Sequence, residues 1–205
     1  MSLDFKNEQK ELYQPKTTPS MVNVPPMVFI AIDGKGNPNN SEEYAIAIEI
    51  LYGLSYKIKM GNKDVLEYVV APLEGLWGVD EKQEGHLIID KDMFYWTVLI
   101  RQPDFVDATV FRIAQTALSK KKPSLDTSKA RLIRITEGLC VQAMHIGPYD
   151  NERVTITVME QYAVAQGYVF DLNSARRHHE IYLSDPRKIS PDKLKTIIRY
   201  PIRRK

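Results

Sequence analysis

A single glutamate stands in the middle of Arg176-Arg177-His178-His179-Glu180-Ile181-Tyr182-Leu183-Ser184-Asp185-Pro186, a run that reads as a β-strand closed by Pro186. Side chains alternate along a strand, so His178, Glu180 and Tyr182 share one face and His179, Ile181 and Leu183 the other. The second face is the apolar one and is expected against the core. Glu180, on the first, is either solvated or lines a concavity. In an apolar concavity the charged form of a carboxylate is disfavoured, its pKa rises, and it becomes a usable general base or acid. The same group can also be the counter-charge for a cationic ligand, with His178 and Tyr182 flanking it.

Aromatic surface is available for such a concavity from Trp77, Tyr68, Tyr182 and one of Tyr95 and Trp96. Trp77 lies in Gly75-Leu76-Trp77-Gly78, where a large ring among small residues is readily presented to a cavity. Tyr95 and Trp96 are strand neighbours and face opposite ways, so the sequence leaves open which points inward. Flat apolar walls with one acid suit a bulky, planar, lipophilic or cationic ligand; an aromatic face attracts a cation by about 0.5–2 kcal/mol.

Other chemistry is poorly supported. Adjacent strand residues such as His178, His179 and Glu180 cannot converge on one ion, and the helical His-Glu-x-x-His spacing is absent, so no metal is expected. Cys140 and His145, five strand residues apart, sit about 17 Å from each other on opposite faces, which rules out a nucleophile pair. Gly34-x-Gly36 lacks the third glycine of a dinucleotide fingerprint, and no cofactor is expected. Ser190-Pro191-Asp192 reads as a turn or cap.

The totals bound the class. The 205 residues suffice for a core without staples, and 43% hydrophobic with 26% charged residues is ordinary for a globular protein. A net charge of +2 with interspersed signs gives no polyanion-binding field. Lys120–Lys122 suit a helix C-terminus before Pro123, and Arg203–Lys205 are terminal, so no nucleic-acid partner is expected. The one cysteine, Cys140, favours a reducing compartment. Neither a signal-peptide core nor a membrane-length apolar run is present, and a cytoplasmic location without membrane contact is the expectation.

Periodicity then supplies the elements. Met27–Ile32 reads as a buried strand and residues 33–40 as a loop; Asn40 with Glu43 has capping-box character for a helix to about Lys59. Val65–Ala71, an extended Leu73–Gly78 and Phe94–Arg101 follow as strands. Asp104 is the expected cap of a second helix, with Val106, Val110, Ile113 and Ala117 as its apolar stripe, ending at Lys122. Arg131–Thr136 and Leu139–Ile146 alternate as strands about a Glu137-Gly138 turn. Asp150 is the expected cap of a helix over 151–166 carrying Val154, Val158, Tyr162 and Ala165, before Gly167, a strand near Tyr168, the Glu180 strand and a last strand at Leu194–Tyr200. Each half reads as strand, helix, strand, strand, as in a duplicated β-α-β-β unit. Such a duplication leaves a ligand cleft at the join.

Four segments carry a resemblance: Tyr68-Val69-Val70-Ala71-Pro72-Leu73-Glu74-Gly75-Leu76-Trp77-Gly78; Trp96 with Ile100-Arg101-Gln102-Pro103-Asp104-Phe105; Gly147-Pro148-Tyr149-Asp150; and His179-Glu180-Ile181-Tyr182-Leu183-Ser184-Asp185-Pro186. Over residues 22–202 the chain resembles the GyrI-like small-molecule-binding family, which shares its fold with effector-binding domains of multidrug-responsive transcription regulators. The resemblance implies an α+β fold in which two β-α-β-β repeats, about 22–125 and 126–205, form one domain after a polar extension over 1–21. It further implies a curved antiparallel sheet with helices on one face, a ligand cleft on the other, and a glutamate at the cleft floor, in whose place Glu180 falls. The function implied is binding of bulky hydrophobic or cationic toxic molecules. Alternatives within the resemblance are a hydrolase that opens the cyclopropane ring of cyclopropanoid genotoxins, with Glu180 activating water and Tyr182 orienting the ligand, and a protein-binding inhibitor of DNA gyrase. Only about 25 residues precede the first strand, too few for a helix-turn-helix.

Overall fold

Two nine-residue strands organise the chain, Met27–Lys35 and Gly138–Ile146, and each leads through a short turn into a helix that covers it. In the computed structural model, which describes residues 2–79 and 91–205, the N-terminal part holds α1 (Phe5–Glu8), α2 (Lys10–Tyr13), β1 (Ser20–Val24), β2 (Met27–Lys35), α3 (Glu42–Gly61) and β3 (Leu73–Val79). Then come β4 (Phe94–Gln102), α4 (Ala108–Lys121), β5 (Arg131–Ile135), β6 (Gly138–Ile146), α5 (Glu152–Ala165), β7 (Tyr168–Phe170), β8 (His178–Tyr182) and β9 (Lys195–Arg204). The elements fall into two units, Met1–Asp4 with Met27–Ile135, and Phe5–Pro26 with Thr136–Lys205.

In the first unit the ladder order is β3-β4-β2-β5, antiparallel throughout. Helix α3 starts where the Ser41 hydroxyl accepts the Tyr44 N–H at 3.1 Å, and its Ile50, Leu51, Leu54 and Ile58 recur at helical spacing as a fully buried stripe. Helix α4 is capped by Asp107, whose carboxylate accepts from the N–H groups of Thr109 and Val110, and buries Phe111, Ala114 and Leu118. Gly34 of β2 faces Trp96 of β4, and a Cβ there would lie 2.1 Å from the indole. Gly34→Ala is therefore expected to lower stability by about 1–3 kcal/mol through overpacking, read as a lower denaturant midpoint at unchanged slope.

In the second unit the order is β1-β6-β9-β8, again antiparallel, with β7 paired to β9. Its core is Val141, Ala143, Met159, Ala163, Ile198, Tyr200 and Ile202, so α5 lies on the sheet face that carries the odd-numbered positions of β6 and the even-numbered positions of β9. Gly167 follows α5 at φ +84°, a left-handed conformation that glycine adopts without a Cβ penalty, and lets the chain turn back into β7.

The duplicated unit is present. Both β2-α3-β3-β4 and β6-α5-β8-β9 place the fourth element between the first and the third, and the fold is α+β with antiparallel ladders between the named strands. Several local readings change. Val65–Ala71 forms no strand: Asn62 to Val65 turn, and a single bridge joins Tyr68 to Leu3 before Pro72, which lacks an N–H, gives way to β3. Ser41 caps in place of Asn40, because Asn40 is held in a turn on the Asn37 carbonyl. Asp107 caps in place of Asp104, because residues 103–106 close a turn through the Val106 N–H. Helix α5 begins after a 3₁₀ turn at Tyr149–Asn151 with no side-chain cap from Asn151, and Val154 and Val158 are exposed while Met159 and Ala163 are buried. Ile113 is exposed on α4. Of the polar extension, Phe5 onward belongs to the second unit and buries Phe5, Leu12 and Tyr13, while Leu3 bridges Tyr68 of the first.

Candidate functional site

Strand β8 is held against β9 in a register that pairs His179 with Arg199, Glu180 with Ile198 and Tyr182 with Thr196. Glu180 therefore shares a face with Ile198 and Tyr200 and is only 9% exposed; this is the face on which α5 packs, not the helix-free face expected for it, because the β8–β9 register pairs it with Ile198. His178, Glu180 and Tyr182 come together as the strand period requires. The Tyr182 hydroxyl donates to Glu180 Oε2 at 2.8 Å, and His178 Nε2 lies 3.1 Å from Glu180 Oε1. The edge of the Tyr149 ring packs on Tyr182 at 5.8 Å between centroids.

Two further groups reach this point from elements that the reading of β8 alone did not include. Tyr200 of β9 bonds His178 Nδ1 through its hydroxyl at 3.1 Å, with the rings 4.9 Å apart, and stacks on Phe170 at 4.6 Å. Glu152, in the first turn of α5, is 7% exposed, and one of its oxygens, a His178 ring nitrogen and a Glu180 oxygen all lie within 4.8 Å of one another. A sequence signal for Glu152 did exist: it precedes Met159 and Ala163 by seven and eleven residues and so lies on the buried stripe of α5. The turn that delivers Tyr149 and Glu152 is fixed by His145, whose Nε2–H donates to the Pro148 carbonyl at 3.1 Å while Nδ1 bonds the Thr155 hydroxyl at 2.9 Å.

Burial, and after it the negative charges of Glu180 and Glu152, push the phenols of Tyr149 and Tyr200 above the ordinary tyrosine range. Both hydroxyls stay protonated near neutral pH and can donate.

The opposite face of β8 carries a buried ionic network. Glu137 receives His179 Nδ1 at 3.0 Å and Arg199 Nη1 at 3.1 Å. Arg199 also donates through Nε to Gln142 Oε1 at 3.1 Å and through Nη2 to the Leu12 carbonyl at 2.8 Å. Burial alone would raise the Glu137 carboxyl, but the charges of His179 and Arg199 overcome it and hold the group at about 2. Cys140, on the same side, is buried and its thiol is pushed up to about 12 by burial and by the Glu137 charge, so it is no nucleophile.

The remaining aromatic candidates belong to the first unit. Trp77 and Trp96 are ladder partners; Tyr44 packs on Trp77 at 6.0 Å and edge-on to Trp96 at 5.0 Å, and Phe94 packs on Trp77 at 5.7 Å. Trp96 is the member of its pair that faces this cluster, at 1% exposure, whereas Tyr95 is 48% exposed. Trp77 is half-buried. Tyr68 is fully buried against Phe105.

Comparison with known proteins gives a consistent result. The chain is 44% identical to an uncharacterized conserved protein from Listeria innocua, over 98% of this chain and 100% of that one, at a TM-score of 0.92. It is 42% identical to a hydrolase from Listeria innocua, over 98% and 100%, at a TM-score of 0.90. The C-terminal domain of EcmrR shares the fold alone, at 13% identity over 91% of this chain and 98% of that one, with a TM-score of 0.54. No curated protein matches. No helix among the described residues is long and apolar enough to cross a membrane. The model of the GyrI-like small molecule binding domain matches residues 17–203, and the chain belongs to that family.

Proposed function

We propose that this chain is a small-molecule hydrolase that opens the strained ring of cyclopropanoid electrophiles, with Glu180 as the general base. The observation that carries the reading is the buried Glu180 carboxylate, oriented by the Tyr182 hydroxyl at 2.8 Å among tyrosine rings. A carboxylate so held is placed to take a proton from water and is shielded from bulk solvent. The likeness to a Listeria innocua hydrolase at 42% identity supports a hydrolytic rather than a purely sequestering role.

In the proposed reaction the water oxygen bonds to a cyclopropane carbon as Glu180 takes its proton. The ring C–C bond breaks, and its electron pair passes into the conjugated carbonyl, whose oxygen becomes an oxyanion. Tyr149, kept protonated, supplies a hydrogen bond to that oxygen. Glu180 then releases its proton as the oxyanion collects one, so a single water has been added, its hydroxyl on the former ring carbon and its proton on the carbonyl oxygen.

Incubation of the full chain with a cyclopropanoid, followed by mass spectrometry in ordinary and oxygen-18 water, tests the reading. Conversion to a ring-opened product carrying one solvent oxygen is the expected result. Parent compound that persists as it does without protein would refute it.

A second reading is favoured by the same rings: binding of lipophilic cations, with Glu180 as counter-charge and Tyr149 and Tyr182 as aromatic surface. Equilibrium dialysis with a phosphonium cation separates the two. The sequestering reading expects binding that Glu180→Gln weakens at least about tenfold and no consumption of any ligand.

A further inference from the structure

Beside Glu180 stand two polar groups, the buried Glu152 and the half-buried His178, to which the proposed reaction gives no task. The Glu152 oxygen, the His178 ring nitrogen and the Glu180 oxygen that approach within 4.8 Å of one another define a triangle. Any triangle of that size has a point within about 2.8 Å of all three corners, the separation of a water oxygen from a hydrogen-bond partner. The carboxylates come from α5 and β8, and the imidazole from the same face of β8 as Glu180.

The hydrogen bonding of His178 decides what such a point can hold. Among the described residues, the hydrogen-bond partner of the Tyr200 hydroxyl is His178 Nδ1. Tyr200 keeps its proton, because burial and then the charges of Glu180, Glu152 and Glu160 raise its pKa, and Nδ1 is the partner to which that proton can be donated. With Nδ1 accepting, the imidazole hydrogen lies on Nε2. That nitrogen is buried, and although it lies 3.1 Å from Glu180 Oε1 it is not aligned on that oxygen as a hydrogen bond requires. A metal ion needs a nitrogen lone pair, which Nε2 in this tautomer lacks. A water molecule suits the three groups: it accepts from Nε2–H, donates one hydrogen to each carboxylate, and keeps one lone pair for bonding to carbon.

We propose that Glu152, His178 and Glu180 together seat one water molecule, and that this water is the nucleophile of the hydrolysis. The assignment as nucleophile rests on the hydrolytic reading; the seat itself does not. In it Glu152 restrains the second hydrogen of the water, His178 fixes its orientation, and Tyr200 positions His178 by selecting the tautomer. Glu180 remains the group that removes the proton.

Two measurements on the full chain test this. A high-resolution crystal structure of the ligand-free protein is expected to show one peak within hydrogen-bond distance of all three groups, without anomalous signal at the zinc, manganese or iron edges. With a cyclopropanoid as probe, Glu152→Gln and His178→Gln are each expected to lower kcat roughly 100-fold with KM changed less than threefold, and Tyr200→Phe to shift the pH profile of kcat. A metal peak, no peak, or full wild-type kcat in Glu152→Gln would overturn the seat while leaving Glu180 as base. Failure of the wild type to consume any cyclopropanoid would instead refute the hydrolytic reading, and the nucleophile assignment with it, whatever the density shows. The wild-type density is independent of whether any variant folds.

Discussion

Glu180→Gln is expected to lower kcat for cyclopropanoid hydrolysis by about 10²–10⁴-fold, equivalent to about 2.7–5.4 kcal/mol of transition-state stabilisation. Glutamine has nearly the volume of glutamate, and its carbonyl can still accept from the Tyr182 hydroxyl that now bonds Glu180 Oε2. What it loses is basicity: an amide cannot take the proton that water must shed as its oxygen bonds to carbon. Its amide N–H₂ would also face His178 Nε2, 3.1 Å from the present Oε1, and place two donors against each other. Substrate affinity should change little for a neutral substrate, so the loss should fall on kcat and on kcat/KM alike. Rapid-quench measurement with saturating substrate checks this, and a variant that retains more than about a tenth of wild-type kcat would exclude Glu180 as the base.

The largest loss of stability is expected from Arg199→Met. The Arg199 side chain is almost wholly buried and bonds Glu137, Gln142 and the Leu12 carbonyl. Methionine fills much of the same volume but leaves the Glu137 carboxylate buried with one charged partner fewer, at a cost of about 3–5 kcal/mol. For a chain of this length that corresponds to a fall in Tm on the order of 10 °C. The pH dependence gives a second check. Glu137 is held at about 2 when folded, below its ordinary 4.5, so its contribution is complete above the ordinary value. It is lost as pH falls from about 4.5 through about 2. Urea midpoints of the wild type should therefore fall over that interval, and in Arg199→Met, where Glu137 returns toward its ordinary value, the fall should be smaller. Equal pH slopes in the two proteins would show that the network does not hold Glu137.

Much of this was legible because strands impose a strict period. His178, Glu180 and Tyr182 share a face for that reason, and the Tyr182–Glu180 hydrogen bond follows from it directly. The duplicated β-α-β-β order was legible for a similar reason: strand and helix periods alternate in the same sequence in both halves. Periodicity does not say which side chains arrive from elsewhere. Glu152 reaches Glu180 from α5 and Tyr200 reaches His178 across the β8–β9 ladder, and both depend on register and helix docking, which have no local signature. For the same reason, adjacency along β8 argued against three ligating groups meeting at one point, whereas the third group comes from a helix. The valines of α5 misled because Val154 and Val158 keep a helical period on the exposed side, while Met159 and Ala163 take the buried one. Caps shifted by one to three residues wherever a turn consumed the expected cap, as at Asn40 and Asp104.

The most direct test of Glu180 as the base at the reacting centre is a crystal structure of the full chain with an unreactive cyclopropanoid analogue. The account predicts the ring carbon lying within about 3.5 Å of a water that contacts the Glu180 carboxylate. An analogue bound with its ring away from Glu180, or with that carboxylate turned from it, would contradict the account.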